Sequence, residues 1–87
     1  MITVTYNERF KKDVGKLPKE TQEKLSILIS VLVENPFDRG LHTKRLAGPL
    51  DGQFSFRITR DWRVIFQFID ARTIQLLHAL HRKDAYR

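Results

Sequence analysis

The sequence predicts an α+β domain: an N-terminal strand, a two-helix hairpin packed on one face of a three- to four-stranded antiparallel sheet, and a short basic tail. Three observations carry this. From Phe54 to Phe68, apolar and polar residues alternate on both sides of a polar break, which is the period of half-buried strands. From Phe10 to Val33, apolar residues recur at helical spacing instead. Helical and strand patterns also come in separate blocks, which puts the helices together on one sheet face.

The elements follow in order. Ile2, Val4 and Tyr6 alternate with Thr3 and Thr5, a short strand of good β-formers. Asn7 suits a helix N-cap, because its side chain can accept a bond from a free first-turn amide. Glu8 then puts a negative charge at the positive helix end. Phe10, Val14 and Leu17 form one helical stripe; Gly15 weakens that helix and Pro18 ends it. Pro18 also suits the first turn of a second helix. There Leu25, Leu28, Ile29 and Leu32 make the stripe, widened by Ile27, Val31 and Val33, until Asn35-Pro36 stops it. Residues 36 to 53 read as a loop with turn signals at Gly48-Pro49 and Asp51-Gly52, and with room for a short edge strand around Thr43 to Leu46.

The strand block has a defined polarity. Phe54, Phe56 and Ile58 point to one side, and Ser55, Arg57 and Thr59 to the other. After the break, Trp62, Val64, Phe66 and Phe68 share the core face, and Arg63, Ile65 and Gln67 the opposite one. A connection of odd length keeps Arg57 and Arg63 on the same face, and Arg60-Asp61-Trp62 satisfies it with Thr59 opposite Arg63. Asp70-Ala71-Arg72 makes the next odd connection. In the last strand, Ile74, Leu76, His78 and Leu80 are then expected on the core. Gln75, Leu77, Ala79 and His81 are expected beside Arg57 and Arg63.

Eighty-seven residues make a single domain, 1–87, with room for one core. The absence of cysteine excludes disulfides and thiolate metal sites and fits a reducing, cytoplasmic setting. The N-terminus lacks the basic-then-apolar pattern of a signal peptide. The longest apolar-rich stretch, Leu25 to Val33, is too short to span a bilayer. The net charge of +6 favours nucleic acid, an anionic membrane or an acidic protein as partner, without choosing among them.

Several features now combine: strand-helix-helix-strands, Asn35-Pro36 closing the second helix, the Leu46-Ala47-Gly48 loop, Trp62-Arg63-Val64-Ile65-Phe66, and the tail His81-Arg82-Lys83-Asp84-Ala85-Tyr86-Arg87. Together they resemble the RelE/ParE superfamily of toxins from type II toxin–antitoxin modules, over essentially the whole chain. The resemblance implies one of two activities. RelE-like toxins are metal-independent endoribonucleases that cut messenger RNA in the ribosomal A site on the small subunit; ParE-like toxins poison DNA gyrase. It also implies an acidic antitoxin as partner and no metal or cofactor. An inactive relative that only binds its antitoxin is the third reading. The nuclease site of the RelE branch maps onto Arg57, Arg63, His81 or Arg82, and Tyr86, and its histidine-using relatives add His42 and Asp61. Ser55 and Arg57 stand where the RelE type has two lysines, which shifts the proton-carrying role towards histidine.

Those residue types suit RNA cleavage, in which a ribose 2′-hydroxyl attacks the adjacent phosphorus and the 5′-oxygen leaves. Arginine matches two phosphate oxygens with a rigid fork of donors, a role for Arg63 with Arg57 or Arg82 assisting. Histidine titrates near working pH, which makes His81 the expected proton carrier. Tyr86 could stack on a base or orient the attacking hydroxyl. Lys44, Arg45, Arg60 and Lys83 would hold the backbone without reading sequence. Plainer roles compete: Arg57 and Arg63 as solvated strand residues, His81 as a surface histidine, His42 as loop, His78 as core, Asp61 as a turn residue, Trp62 as a cap on the core edge, and Tyr86 as packing for the tail. Lys11, Lys12 and Lys16 read as the wet face of the first helix.

Overall fold

Asn7 begins the first helix as its side chain dictates: its Oδ1 accepts the Phe10 N–H at 2.8 Å. The computed structural model describes residues 1–50 and 52–84. In it, β1 (Thr3–Tyr6) leads into α1 (Glu8–Gly15) and α2 (Lys19–Glu34). Short turns of 3₁₀ helix at Arg39–Leu41 and Gly48–Leu50 flank β2 (Lys44–Arg45), and β3 (Gln53–Arg57), β4 (Trp62–Asp70) and β5 (Thr73–His81) follow. Because the cap satisfies a first-turn amide, Asn7→Ala is expected to cost about 1 kcal/mol. A thermal melt would read this as a fall in Tm of roughly 4–8 °C.

Pro18 sits just ahead of α2 with φ −54°, and Asn35 ends that helix, so both proline signals act where the sequence puts them. Leu25, Leu28 and Leu32 are buried, with Ile29 and Val31 packed beside them. Ile27 does not widen the stripe as expected: it is 66% exposed. Two residues on from Leu25, it lies about 200° further round the helix.

The sheet has five strands in the order β1-β5-β4-β3-β2, wider than the expected three or four and mixed rather than purely antiparallel. β1 runs parallel to β5, with Thr3 opposite Thr73 and Tyr6 opposite Leu76. The end of α2 meets the start of β1, where the Ile2 N–H donates to the Val33 carbonyl at 2.9 Å, and the Thr3 N–H joins the Arg72 carbonyl at 2.8 Å beside β5. The helices cover one face of the sheet, and the core lies between the layers around Phe10, Leu25, Leu32, Phe56, Phe66 and Ile74. Among the described residues no helix is long and apolar enough to cross a membrane.

Three details of the strand block depart from the expected register. First, Arg57, not Thr59, stands opposite Arg63, so five residues, 58–62, separate the residue opposite Arg63 from Arg63 itself rather than three. The Ile58 and Thr59 amides both turn to the Trp62 carbonyl, at 2.9 and 3.4 Å. Five is also odd, so the faces survive the change. Second, Asp70 pairs with Thr73 across a tight Ala71-Arg72 turn, and the irregularity that keeps Phe68 opposite Ile74 falls at Ile69. Asp70 Oδ1 accepts the Arg72 N–H at 2.8 Å. That bond, with a further one from the Thr73 hydroxyl, holds the carboxyl below its usual pKa.

The third departure matters most for function. Ile65 pairs with His78 but Phe66 pairs with Leu76, leaving Leu77 as an extra residue in β5. Such a bulge reverses the faces of everything beyond it. Ala79 is therefore in the main core, where Leu80 and His78 were expected, and Leu80 moves to the opposite side. His78 sits at the sheet edge with its side chain 39% exposed. Leu46 and Ile65, with Leu77 and Leu80, form a second, smaller apolar cluster on the face away from the helices.

Candidate nucleic-acid interface

The face away from the helices is built in rungs. Gln53, Gln67 and Gln75 lie side by side across β3, β4 and β5, with Gln67 Nε2 donating to Gln75 Oε1 at 3.0 Å. Ser55 and Ile65 make the next rung, joined by Lys44 from β2. Arg57 and Arg63 make the next, opposite one another, with Leu80 completing it from β5. Like charges placed directly opposite on a sheet destabilise it. Arg57 and Arg63, paired across β3 and β4 on the face that carries the cluster of Leu46, Ile65, Leu77 and Leu80, therefore suit an anion that both can share.

Arg63 is held in place. Its Nη1 donates to the carbonyl oxygens of Thr59 and Arg60, at 3.0 and 3.1 Å, so the β3–β4 turn grips one edge of the guanidinium. The same turn reaches the tail. The Arg82 N–H donates to the Asp61 carbonyl at 2.6 Å, and Arg82 Nε lies 3.7 Å from Asp61 Oδ1. The turn thus gathers Arg63, Asp61 and Arg82 at one end of the sheet. Arg60 and Lys83 are exposed at that same end.

His81 is not where the alternation put it. It pairs with Trp62, not with Arg63's side of the sheet, and the two rings meet nearly edge-on with centroids 5.3 Å apart. The bulge at Leu77 is the cause. Its Nδ1 accepts the Lys83 N–H at 3.3 Å, which closes the turn after β5. His42 is exposed in the left-handed conformation at φ 51°, ending the 3₁₀ turn at Arg39–Leu41. Among the described contacts, none joins His42 to the arginine rung. Arg45 pairs with Phe54 and so lies on the other face from Lys44. Tyr86 lies outside the described residues. Asp13 is a residue that sequence reading passed over. Its carboxylate is buried and accepts the Ala79 N–H at 3.1 Å. A carboxylate three residues after Phe10 and next to Val14, at the edge of the apolar stripe of α1, was its one visible signal.

No protein-family model and no curated protein sequence matches the chain. Solved structures do. YafQ from E. coli strain BL21(DE3) superposes over the whole of both chains with a TM-score of 0.80 at 19% identity. The YoeB/ParE toxin of Agrobacterium tumefaciens matches with a TM-score of 0.79 at 18% identity, over 93% of this chain and 99% of that one. The RelBE2 toxin–antitoxin complex of Mycobacterium tuberculosis matches with a TM-score of 0.78 at 26% identity, over 93% and 98%. The fold is that of the RelE/ParE toxin superfamily.

Proposed function

We propose that the protein is the toxin of a type II toxin–antitoxin pair and that it acts as a metal-independent, ribosome-dependent endoribonuclease on messenger RNA. The observation that carries this is the arginine rung. Arg57 and Arg63 face one another away from the core, and the turn that holds Arg63 also holds Arg82. Three guanidinium groups at one end of a sheet suit the charge that gathers on phosphorus when a 2′-hydroxyl attacks it. In this reading Arg63, Arg57 and Arg82 stabilise the phosphorane. Asp61, an ion partner of Arg82 at 3.7 Å, takes the 2′ proton in this reading, and solvent protonates the 5′-oxygen as it leaves. His81 supports Trp62 at the strand end, so Arg82→Ala costs more activity than His81→Ala. Measured cleavage rates for the two variants rank them, and the reverse order would return the proton-carrying role to His81. Lys44, Arg60 and Lys83 hold neighbouring phosphates, so RNA affinity should fall with added salt in a binding titration, by about 0.7 logarithmic unit per tenfold rise in salt for each phosphate held.

The resemblance supplies the partner. An antitoxin of opposite charge suits a chain of net charge +6. An apolar cleft of about 410 Å³ between β1 and the helices, lined by Val4, Tyr6, Phe10, Val14, Ile29 and Val33 with Lys11 beside them, has the character to receive an amphipathic segment of it.

The deciding experiment expresses the chain and follows messenger RNA, protein synthesis and DNA synthesis separately, with primer extension to map cut sites. Loss of translation with cut messenger and continuing replication supports the nuclease. Replication arrest with intact messenger would replace it with the gyrase-directed activity of the ParE branch.

A further inference from the structure

We infer that Asp13, on α1, is a positioning residue that selects the bulged register of β5 and thereby decides which tail residue stands beside Arg63. The observation is a change of phase along the open edge of β5. Next to β1, the even-numbered residues turn their backbone polar groups outward. Arg72 O accepts from Thr3 N at 2.8 Å and Leu76 O accepts from Asn7 N at 3.3 Å. Thr5 Oγ1 likewise donates to Ile74 O at 3.0 Å. In an unbroken strand that period continues, so His78 and Leu80 would face outward and the Ala79 N–H would point to β4. Instead the Ala79 N–H points outward and meets Asp13 Oδ2 at 3.1 Å. The carboxylate can be met this way only after one residue, Leu77, has been thrown out of the ladder.

β1 ends at Tyr6, so beyond Leu76 no described strand covers this edge. An outward amide there, buried under α1, needs an acceptor, and an unpaired one costs several-fold to about a hundredfold in the folded population. Asp13 supplies it from a site that is itself well prepared. Its side chain is 9% exposed, and Oδ1 accepts from Arg9 Nε at 3.2 Å. His78 Nδ1 stands 3.8 Å from Oδ2 with no hydrogen bond of its own. Without the bulge, Ala79 and His81 would lie on Arg63's face, and Leu80 would replace Ala79 beneath the helices. With it, Ala79 packs opposite Val64, His81 meets Trp62, and Arg82 meets Asp61. A helical residue 66 positions away in the chain thus determines the composition of the arginine end of the sheet.

The register does not depend on the chemistry; only its consequence for cleavage rests on the ribonuclease reading. The test compares Asp13→Ala with Asp13→Asn, since asparagine keeps an oxygen that can accept from Ala79. Two-dimensional NMR reads the proton contacts between the Trp62 indole and the His81 imidazole, and the exchange rate of the Ala79 amide. D13N should keep both as in the unaltered chain. D13A should lose the Trp62–His81 contact, raise Ala79 exchange at least about tenfold, and lower messenger cleavage about tenfold or more through misplacement of Arg82. A D13A protein that keeps the Trp62–His81 contact overturns the inference. So does D13N behaving like D13A, or failing to fold alongside it, because the acceptor is then not what matters. If D13A alone fails to fold, the contact retained in D13N decides in its favour. Loss of the contact in D13A, with an unaltered chain that cuts no RNA, leaves the register role standing and removes the ribonuclease.

Discussion

Replacing Arg63 with alanine is expected to lower messenger cleavage by about a hundredfold to a thousandfold, the cost of removing one aimed donor from a developing oxyanion. The size of the effect follows from how the guanidinium is held. Two turn carbonyls fix one edge of it, at 3.0 and 3.1 Å, leaving the remaining donors of a rigid fork free to face a phosphate. Little reorganisation is then required as charge develops. Stability should change little, because relief of repulsion between the paired arginines of β3 and β4 offsets the loss of the two bonds to the turn carbonyls. Single-turnover cleavage beside a thermal melt separates the two effects. Lost activity with a nearly unchanged Tm fits the proposed role. Lost activity with a much lower Tm would mean that Arg63 serves the turn rather than the substrate. Arg63→Lys should recover only part of the rate, since an ammonium has neither the fork to bind two phosphate oxygens nor the reach to both carbonyls.

Phe66→Ala is expected to destabilise the fold by about 3–5 kcal/mol. Phe66 is completely buried at the centre of the sheet. It stacks on Phe54 with centroids 5.6 Å apart and meets Phe56 and Phe68 at 6.0 Å each. Three rings and the helix layer cannot all close over the space it leaves, so a cavity cost adds to the lost burial. Small domains have about 5–15 kcal/mol in total, and this substitution removes a large part of it. Denaturant unfolding should show a much lower midpoint with a similar slope. Truncating Ile69, which is 57% exposed on the same strand, should change stability by about 0.5 kcal/mol or less. Equal effects at the two positions would contradict the assignment of the core.

Much of the architecture was legible because its causes are local. The Asn7 cap, Pro18 and the Asn35-Pro36 stop act within a turn of the helices they bound. The parity that puts Arg57 and Arg63 on one face is a property of period-two alternation, and it held although the residue opposite Arg63 proved to be Arg57, two positions earlier than expected. The family resemblance, carried by Trp62 to Phe66 and the basic tail, is matched by the fold. His81 shows where such reading stops. Its neighbours were inferred by continuing the alternation through Leu77, and no residue near Leu77 marks the bulge.

Sequence by itself therefore determined the order of helices and strands, the buried faces of β3 and β4, the shared outward face of Arg57 and Arg63 and the basic character of the tail. These depend on side-chain chemistry and spacing within short stretches. The tertiary structure alone decided that β1 joins the sheet parallel to β5, that β5 shifts its phase at Leu77, and that Arg82 rather than His81 reaches the Asp61 turn. Each of those is accompanied by a hydrogen bond between separate elements: Thr3 to Arg72, Ala79 to Asp13, Arg82 to Asp61. Local pattern fixes which side of a strand is apolar, but an acceptor brought in by another element determines where that pattern is allowed to slip.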